Sequence, residues 1–197
     1  MDYDDIVGYL IIVMIIFISY KIYSDSDIFH LTCVISTVDG DKYCVRERIN
    51  ITAAADLLAT ATNNMKELVA YVEKKHPEDA RIKRLVQKFN PEKIVETLPT
   101  SEYTAYSENK GKKIAFCLNK KKDDNRNLID INTLMFVAIH EMSHIASVSI
   151  GHNTEFWDNF KFLLKEAAEA KLYIPINYKK ENEEYCGMKI TDNPYFN

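Results

Sequence analysis

The sequence predicts an α+β fold, in which helices pack on a small antiparallel sheet and one transmembrane helix precedes the folded domain. Three observations predict it: a long uncharged run near the N-terminus, two hairpin signals between apolar stretches, and several apolar stripes at helical spacing. A chain of 197 residues suits one compact domain with an appendage. The formal net charge of −4 argues against a general nucleic-acid-coating role, and no nucleic-acid partner is expected.

The N-terminal segment, residues 1–23, is predicted to be an uncleaved membrane anchor. Residues 6–20 carry no charge, and Lys21 can extend its ammonium group to the lipid headgroups. Residues 6–23 therefore give about 18 residues, close to the shorter limit for crossing a bilayer. A cleavable signal peptide is the alternative, but it needs a basic start and a small-residue cleavage site. Here acidic residues precede the run and no such site follows it.

Two sequence features disagree about the side of the membrane on which the C-terminal domain lies. Basic residues follow the anchor, beginning with Lys21, whereas acidic residues precede it, so the positive-inside tendency predicts a cytoplasmic domain. The sequon Asn50-Ile51-Thr52 is usable only on the luminal side. A single sequon often occurs by chance, and the cytoplasmic side is therefore the prediction.

Residues 24–79 are predicted to link the anchor to the rest of the chain. A polar linker at residues 24–27 leads into a hairpin over residues 30–49, centred on the turn signal Asp39-Gly40. Thr52 can cap a helix that follows and runs to about Lys75, with an apolar stripe at helical spacing.

The cysteines leave two interpretations open. None of the four forms a CxxC pair, so a cysteine-type zinc knuckle is not predicted; they are Cys33, Cys44, Cys117 and Cys186. Cys33 and Cys44 flank the hairpin turn, where a disulfide can form. The alternative is that the cysteines are small buried apolar residues in a reducing compartment.

Residues 80–197 are predicted to form the functional domain, with an extended C-terminal tail. The pattern predicts, in order, a helix over residues 78–89, a hairpin over residues 103–118, a polar loop over residues 119–127, a helix from about Asn132 to a stop at Gly151, and a helix capped by Asn153 or Thr154. From Tyr173 onward the chain reads as extended and irregular.

The motif HEMSH at residues 140–144 carries the strongest chemical signal. His140 and His144 are four residues apart, so a helix places both imidazoles on one face, where they can bind one zinc ion. Glu141 lies about 100° further round the helix and would reach a metal-bound water rather than the metal. Zinc lowers the pKa of such a water to about 7, so that Glu141 can take its proton as the catalytic base.

A catalytic zinc site has three protein ligands and one open position. We predict His152 as the third ligand, because Gly151 lets the chain turn back towards the metal. Glu155 is the rival and would give a His-His-Glu site, and a capping or surface role is the alternative for His152. The other histidines, His30 and His76, are expected to be ordinary residues in a strand and at a helix end.

These residues resemble a known family. HEMSH, followed by GHNTEFW at residues 151–157, is similar to the small zincin domains of the WLM and SprT-like group. In these domains a short connection leads from HExxH to a Gly-His or Asn-His step and then to a helix that starts with aromatic residues. The resemblance covers roughly residues 80–175. Seven residues separate His144 from His152, which is longer than the connection associated with WLM domains, so the branch stays open.

The resemblance implies a minimal zincin-like fold and a zinc metallopeptidase that acts on protein or peptide substrates. It also implies that an edge strand beside the cleft aligns the substrate by strand addition, and it places that strand at Lys112–Leu118. The chain is similar, too, to metallopeptidase-like proteins of large DNA viruses, which would make a virion membrane one location. Some family members act on proteins crosslinked to DNA. We do not expect that substrate here, because this chain has a predicted membrane anchor and a net negative charge.

Three hypotheses for the function follow. The first is a membrane-anchored zinc metallopeptidase. In this hypothesis Tyr173 or Tyr178 donates a hydrogen bond to the tetrahedral oxyanion; the alternative is that both tyrosines have ordinary packing roles. The second is a catalytically silent zincin fold that serves as a structural or virion membrane protein; an open cleft beside Glu141 favours the first over the second. The tail after Tyr178 could instead plug that cleft as an inhibitory segment. The third is a metal-free helix that carries the motif by coincidence.

Overall fold

The computed structural model describes residues 3–26, 30–122, 124 and 126–197, without the side chains of residues 3, 4 and 25. The α-helices are α1 (Tyr3–Asp25), α2 (Ile51–Lys75), α3 (Ala80–Lys88), α4 (Ile131–Ala146) and α5 (Thr154–Glu169). The strands are β1 (Leu31–Ile35), β2 (Lys42–Arg46), β3 (Ile94–Glu96), β4 (Ala105–Glu108), β5 (Lys113–Phe116), β6 (Glu183–Tyr185) and β7 (Met188–Ile190). Short 3-10 turns cover Pro91–Lys93 and Pro194–Phe196.

Helix α1 has the length and composition of the predicted anchor. Asp5–Ser24 has a mean hydropathy of 2.2, and none of this stretch is buried against the rest of the chain. By length and composition, the helix can cross a membrane. Tyr9 and Tyr20 are exposed near its two ends, where interfacial aromatic residues are typical.

Strands β1 and β2 form the predicted antiparallel hairpin. Cys33 lies opposite Cys44 in the register, and the two form a disulfide. Gly40 provides the positive φ of 78° that the turn needs. Asp56 of α2 holds the turn against the helix by accepting a hydrogen bond from the Ser36 hydroxyl at 2.7 Å.

Helices α2 and α3 begin within two residues of their predicted starts. Helix α2 begins at Ile51, so Thr52 lies in its first turn and the predicted cap at Thr52 is wrong; Asn50 precedes the helix without a side-chain cap bond. Helix α3 begins at Ala80 because the Asp79 side chain caps it, accepting from the Arg81 backbone N–H. The apolar stripe therefore predicts each helix, while local hydrogen bonds decide where it starts.

The sheet next to the functional half is mixed, whereas the sequence predicts an antiparallel one. Its strand order is β3-β5-β4, with β4 antiparallel and β3 parallel to β5. Ile114, Ala115 and Phe116 are fully buried, as a strand with neighbours on both sides requires. Lys112–Leu118 therefore contains the central strand, and its predicted place at the sheet edge is wrong. The edge strand of this hairpin is β4.

A buried charge cluster joins the N-terminal hairpin to this sheet. The Glu96 carboxylate is fully buried and accepts hydrogen bonds from the Arg46 backbone N–H at 2.7 Å and from the Arg48 guanidinium. The Arg46 guanidinium donates to the carbonyls of Thr97 at 2.7 Å and Leu98 at 3.1 Å. Each buried charge thus has partners, which is the condition under which ions are tolerated inside a protein. The cluster fixes β2 against β3.

The C-terminal tail, predicted to be extended and irregular, contains a short hairpin of β6 and β7. Cys186 in its turn is disulfide-bonded to Cys117, directly after β5. The buried Tyr185 hydroxyl accepts from the Cys117 backbone N–H at 3.2 Å and donates to the Thr104 carbonyl at 3.0 Å. These contacts anchor the tail to the sheet.

One continuous apolar core joins the elements around α4. Leu58 of α2, Met142 of α4 and Phe160 of α5 all belong to it. Helix α4 contacts α2, α3, α5, β4 and β5, so it lies at the centre of the domain, as its apolar sequence predicts. Residues 24–79 thus contribute to the same core as residues 80–197.

We predict that Glu96→Ala destabilises the protein by about 3–5 kcal/mol, because it leaves two buried guanidinium groups without their counter-charge. Urea denaturation of the full chain in detergent, followed by the fluorescence of its single tryptophan, measures the loss. As a control, Glu78→Ala removes an exposed pair with Lys83 and should leave the midpoint unchanged. Equal midpoints for Glu96→Ala and the wild type would show that the cluster adds no net stability.

Candidate metal centre

Helix α4 positions the HEMSH motif. The Asp130 side chain caps the helix start by accepting from the Thr133 backbone N–H at 2.9 Å. Most residues of the helix are buried, whereas His140 and His144 are only half-buried and lie one turn apart. The two imidazoles therefore emerge together at the uncovered part of a buried helix.

The loop after α4 differs from the prediction. The sequence places the helix stop at Gly151, but α4 ends at Ala146. The Lys110 ammonium group donates to the carbonyls of three successive residues, 147–149, at 2.6–2.8 Å. A cation at a helix C-terminus satisfies carbonyls that have no partner in the helix, which allows the early stop. Gly151 then turns the chain within the loop, with a φ of 83°.

Glu155, the rival third ligand, holds this loop instead. Its carboxylate accepts from the backbone N–H groups of Val148 at 2.8 Å and Ser149 at 3.0 Å, and from the Ser149 hydroxyl at 2.5 Å. These hydrogen bonds, led by the one from the hydroxyl, hold the pKa of Glu155 down to about 2. Arg84 lies 3.6 Å from the same carboxylate. Glu155 is therefore engaged by the loop and the His-His-Glu alternative is not formed.

The three predicted histidine ligands converge. Ligand nitrogens of His140, His144 and His152 all lie within 4.8 Å of one another, and the Nε2 atoms of His140 and His152 are 3.0 Å apart. Nitrogens bound to tetrahedral zinc at about 2.0–2.1 Å lie roughly 3.3 Å apart, so the cluster fits one metal ion. Phe156 stacks on the His144 ring with a centroid distance of 4.3 Å. The Trp157 indole N–H donates to the His152 carbonyl at 3.1 Å.

Burial keeps two of the imidazoles in the form that binds metal. Desolvation, aided by the other histidines, lowers the pKa of His140 to about 3. Desolvation, and to a smaller extent the nearby His152, lowers the pKa of His144 to about 4. Metals bind the neutral imidazole, so both rings are ready for a metal at neutral pH.

Glu141 lies beside the histidine cluster rather than in it. Its side chain is 4% exposed, and it lines the same cleft as His144 and His152. Burial raises the pKa of Glu141 to about 8. A nearby divalent cation favours the charged carboxylate and opposes that shift. The side chain is therefore placed to exchange a proton with a group bound in the cleft.

An open cleft of about 560 Å³ lies next to the histidines. Tyr106 and Ser107 of β4 line it together with Glu141, His144 and His152. An edge strand offers unpaired backbone groups to an incoming chain. No described residue of the C-terminal tail lines this cleft. This arrangement contradicts the hypothesis that the tail plugs the cleft as an inhibitory segment.

Tyr173 and Tyr178, the candidate oxyanion donors, pack in the core. Their rings contact Phe136 at centroid distances of 6.1 Å and 5.0 Å, and the Tyr173 hydroxyl accepts from the Asn193 side chain at 2.8 Å. Neither lines the cleft. The structure therefore supports a packing role for both Tyr173 and Tyr178. Tyr106 of β4, by contrast, is a tyrosine that lines the cleft.

The other two histidines lie outside the cluster. His30 Nε2 is 3.1 Å from the Tyr23 carbonyl, just before β1. His76 follows the last residue of α2, and its Nε2 atom is 3.1 Å from the Glu166 carboxylate. Both have local structural contacts, in keeping with their expected ordinary roles.

Three residues that support the site were not predicted from the sequence. Lys110 binds the loop carbonyls, and the Arg84 guanidinium donates to the Ala146 carbonyl at 2.8 Å. The buried Asn159 amide donates to the Ser147 hydroxyl at 2.8 Å. Asn159 is a polar residue within the apolar stripe of α5, and that exception is the available sequence signal. Lys110 and Arg84 look like ordinary surface cations.

The fold and the site define a class: a zincin-type domain, with HExxH on a buried helix, a third histidine from the following loop, and a strand beside the cleft. The model of the WLM domain family matches residues 79–195. This chain belongs to the WLM domain family, a family of zincin-like proteases. The match confirms the predicted resemblance and assigns it to the WLM branch.

Relatives occur in viruses, in agreement with the predicted similarity. The chain is 29% identical over 186 residues to uncharacterized protein R325 of Acanthamoeba polyphaga mimivirus, covering 92% of this chain and 91% of that protein. It is 39% identical over 62 residues to uncharacterized protein 136R of Invertebrate iridescent virus 6, covering 32% and 35% of the two chains. The crystal structure of Wss1 from Saccharomyces cerevisiae matches with a TM-score of 0.46 and 17% identity, over 64% of this chain and 84% of that one.

We predict that Glu155→Ala loosens the loop, because the amides of Val148 and Ser149 lose their charged acceptor. Hydrogen exchange at these two amides should become roughly tenfold faster or more, the effect of one charge-assisted hydrogen bond. Asp158→Asn, on the exposed face of the same helix, is the control and should leave both rates unchanged. Unchanged protection in Glu155→Ala would show that Lys110 alone holds the loop.

Proposed function

We propose that this chain is a membrane-anchored, zinc-dependent metallopeptidase that hydrolyses peptide bonds in protein or peptide substrates. In this proposal His140, His144 and His152 hold Zn²⁺, and Glu141 is the catalytic base. The observation that carries it is the convergence of the three histidines beside a buried carboxylate in an open cleft. Three protein nitrogens leave one coordination position for the reaction.

The protein side chains divide the chemical work. Zinc bound here would act as a Lewis acid that polarises the scissile carbonyl and lowers the pKa of the attacking water. Glu141 would accept a proton from that water and return it to the leaving amine. Phe156 and Trp157 pack around the imidazoles and keep them oriented before substrate arrives.

Strand β4 is our candidate for aligning the substrate. It lies at the sheet edge, and Tyr106 and Ser107 face the cleft that holds Glu141. An extended peptide can add to such an edge through main-chain hydrogen bonds. This assignment replaces Lys112–Leu118, because β5 within that stretch already has a neighbour on each side.

The chain organisation that we propose has three parts. Residues 1–23 anchor the protein in a membrane through residues 6–23, residues 24–79 provide the supporting hairpin and linking helix, and residues 80–197 carry the site. The viral relatives favour a virion membrane as one location of the anchor. The net charge of −4 gives no reason to add a nucleic-acid partner.

We predict that the full chain, purified in detergent, binds about one zinc ion per molecule and that His152→Ala lowers the zinc content strongly. Elemental mass spectrometry on the dialysed protein measures it. His76→Ala removes a histidine outside the cluster and should keep the wild-type content. A folded wild-type protein without zinc would contradict the proposal.

We predict that Glu141→Gln keeps its zinc but cleaves substrate roughly 10²–10⁴-fold more slowly, the usual contribution of general acid–base catalysis. Unfolded casein is a suitable first substrate, with fragments counted by mass spectrometry. Glu184→Gln, exposed on the tail hairpin, is the matched control. Cleavage by Glu141→Gln at the wild-type rate would refute the mechanism. A zinc-loaded wild type that cleaves nothing would favour the catalytically silent alternative.

A further inference from the structure

A second cavity, of about 860 Å³, adjoins the cleft of the metal site. Tyr103, Tyr106 and Ser107 line both cavities. The second cavity is also lined by Lys21 and Ser24, at the C-terminal end of α1. A concave surface therefore runs from the histidines, along β4, to the end of the apolar helix.

The end of α1 marks where the bilayer surface lies once this helix spans a membrane. The apolar stretch ends at Ser24, and the Thr100 hydroxyl donates to the Ser24 carbonyl at 2.9 Å. Helix α1 ends at Asp25 and β1 begins at Leu31, and five intervening residues of any conformation reach at most roughly 20 Å. The folded domain must then lie against the bilayer, with the second cavity on the membrane side.

The chemistry of this membrane-side cavity suits a polypeptide rather than a lipid chain. Lys21, Glu102 and Glu108 contribute charged groups to its wall, and Ser101 contributes a hydroxyl. An acyl chain could pack on Leu98 and the tyrosines of this wall, but it would desolvate the charged groups without offering them a hydrogen-bond partner, whereas a polypeptide backbone can pair with them. Tyr103, 65% exposed at the junction with the cleft, offers an aromatic face to side chains of an extended substrate.

We propose that the site cleaves juxtamembrane segments of membrane-anchored proteins, which enter as extended chains from the membrane-side cavity and lie along β4. The proposal rests on the peptidase function and on α1 as an anchor. An extended strand rises about 3.3 Å per residue, so the four residues of β4 span roughly 13 Å. The segment along β4 thus takes about four residues of the substrate, and we expect the scissile bond within about ten residues of the bilayer surface.

The test places the full chain, loaded with zinc, in lipid vesicles with either of two substrates. Both carry one transmembrane helix and the same unstructured target segment. In the first the target follows the helix directly, and in the second a Gly/Ser linker of about 40 residues separates them. We expect the first to be cleaved at least tenfold faster, within about ten residues of its helix.

Every other outcome is informative. Equal rates for the two substrates, or cleavage of casein without cleavage of either, would overturn this inference and leave the peptidase function standing. Failure to cleave casein as well as both membrane substrates would overturn the function and the inference together.

A substitution tests the membrane-side cavity directly. Glu102→Trp places a large side chain in that cavity, away from the histidines, and should lower the ratio of adjacent-substrate to casein cleavage at least threefold. Glu184→Trp, exposed on the tail, should keep the wild-type ratio. An unchanged ratio in Glu102→Trp would show that substrate does not pass through this cavity.

The cysteines carry an independent inference about the compartment. All four are disulfide-bonded, as Cys33–Cys44 and Cys117–Cys186. Cys33 is exposed, so its disulfide lies within reach of a reductant such as glutathione. Disulfides persist in oxidising compartments and are rare where glutathione keeps thiols reduced. The pairing therefore favours a domain outside the cytosol.

We infer that the C-terminal domain lies on the luminal side and that Asn50 carries an N-linked glycan. Asn50 is exposed just before α2, and its sequon ends at the exposed Thr52. The charge rule predicts the opposite side, but it counts basic residues near the ends of the span, and long domains translocate regardless of charge. Here Lys21 and Lys42 are the Lys and Arg residues in that zone, so the excess that the rule counts is small.

The test is expression of the full chain in eukaryotic cells, followed by glycosidase treatment and measurement of gel mobility. We expect a shift that Asn50→Gln abolishes. A second variant, with a sequon appended after Asn197, reports the side of the membrane independently. A glycan on the appended sequon without one on Asn50 would refute the modification, and no glycan on either would refute the luminal orientation.

Discussion

Burial of α4 on all sides but one is the constraint on which the rest of the structure depends. A helix that is apolar nearly all round is stable only when other elements cover it, and α2, α3, α5 and the β4–β5 hairpin do so. The gap in this cover is the place where His140 and His144 emerge. The low-dielectric surroundings that stabilise the helix also keep the two imidazoles neutral. The burial that stabilises α4 thus also keeps its two histidines in the form that binds metal.

Polar contacts position the loop that carries the third histidine. The loop that carries His152 is exposed and offers carbonyls and amides at the end of a helix, which need partners. Lys110 takes the carbonyls and Glu155 takes the amides, so both charges near the cluster are engaged by backbone. Glu141, by contrast, is held in a site where desolvation dominates its pKa. Because the loop amides engage Glu155, Glu141 is the carboxylate that faces the cleft.

The sequence predicted the parts of the site that depend on local spacing. The HEMSH spacing placed His140 and His144 on one helix face, and the Gly-His step placed His152 beside them. What it missed depends on contacts distant in the chain. Helix α4 ends early because Arg84 binds the carbonyl of its last residue and Lys110 binds the carbonyls of the loop that follows, and both residues come far earlier in the sequence. The parallel pairing of β3 with β5 involves three residues from each strand, too few for a periodic signal. Disulfide connectivity likewise cannot be read from spacing.

Strand β4 is held at both ends, and this bears on how a substrate would be positioned. At one end the Thr104 carbonyl accepts from Tyr185, which the Cys117–Cys186 disulfide keeps in place. At the other, Gly111 (φ 104°) packs so closely on α3 that an added Cβ would lie 2.5 Å from a backbone carbonyl. The strand therefore cannot shift relative to α4 without breaking these contacts. Rigid placement of this kind lowers the cost of orienting a bound chain, and it would hold the distance between the histidines and the membrane-side cavity constant.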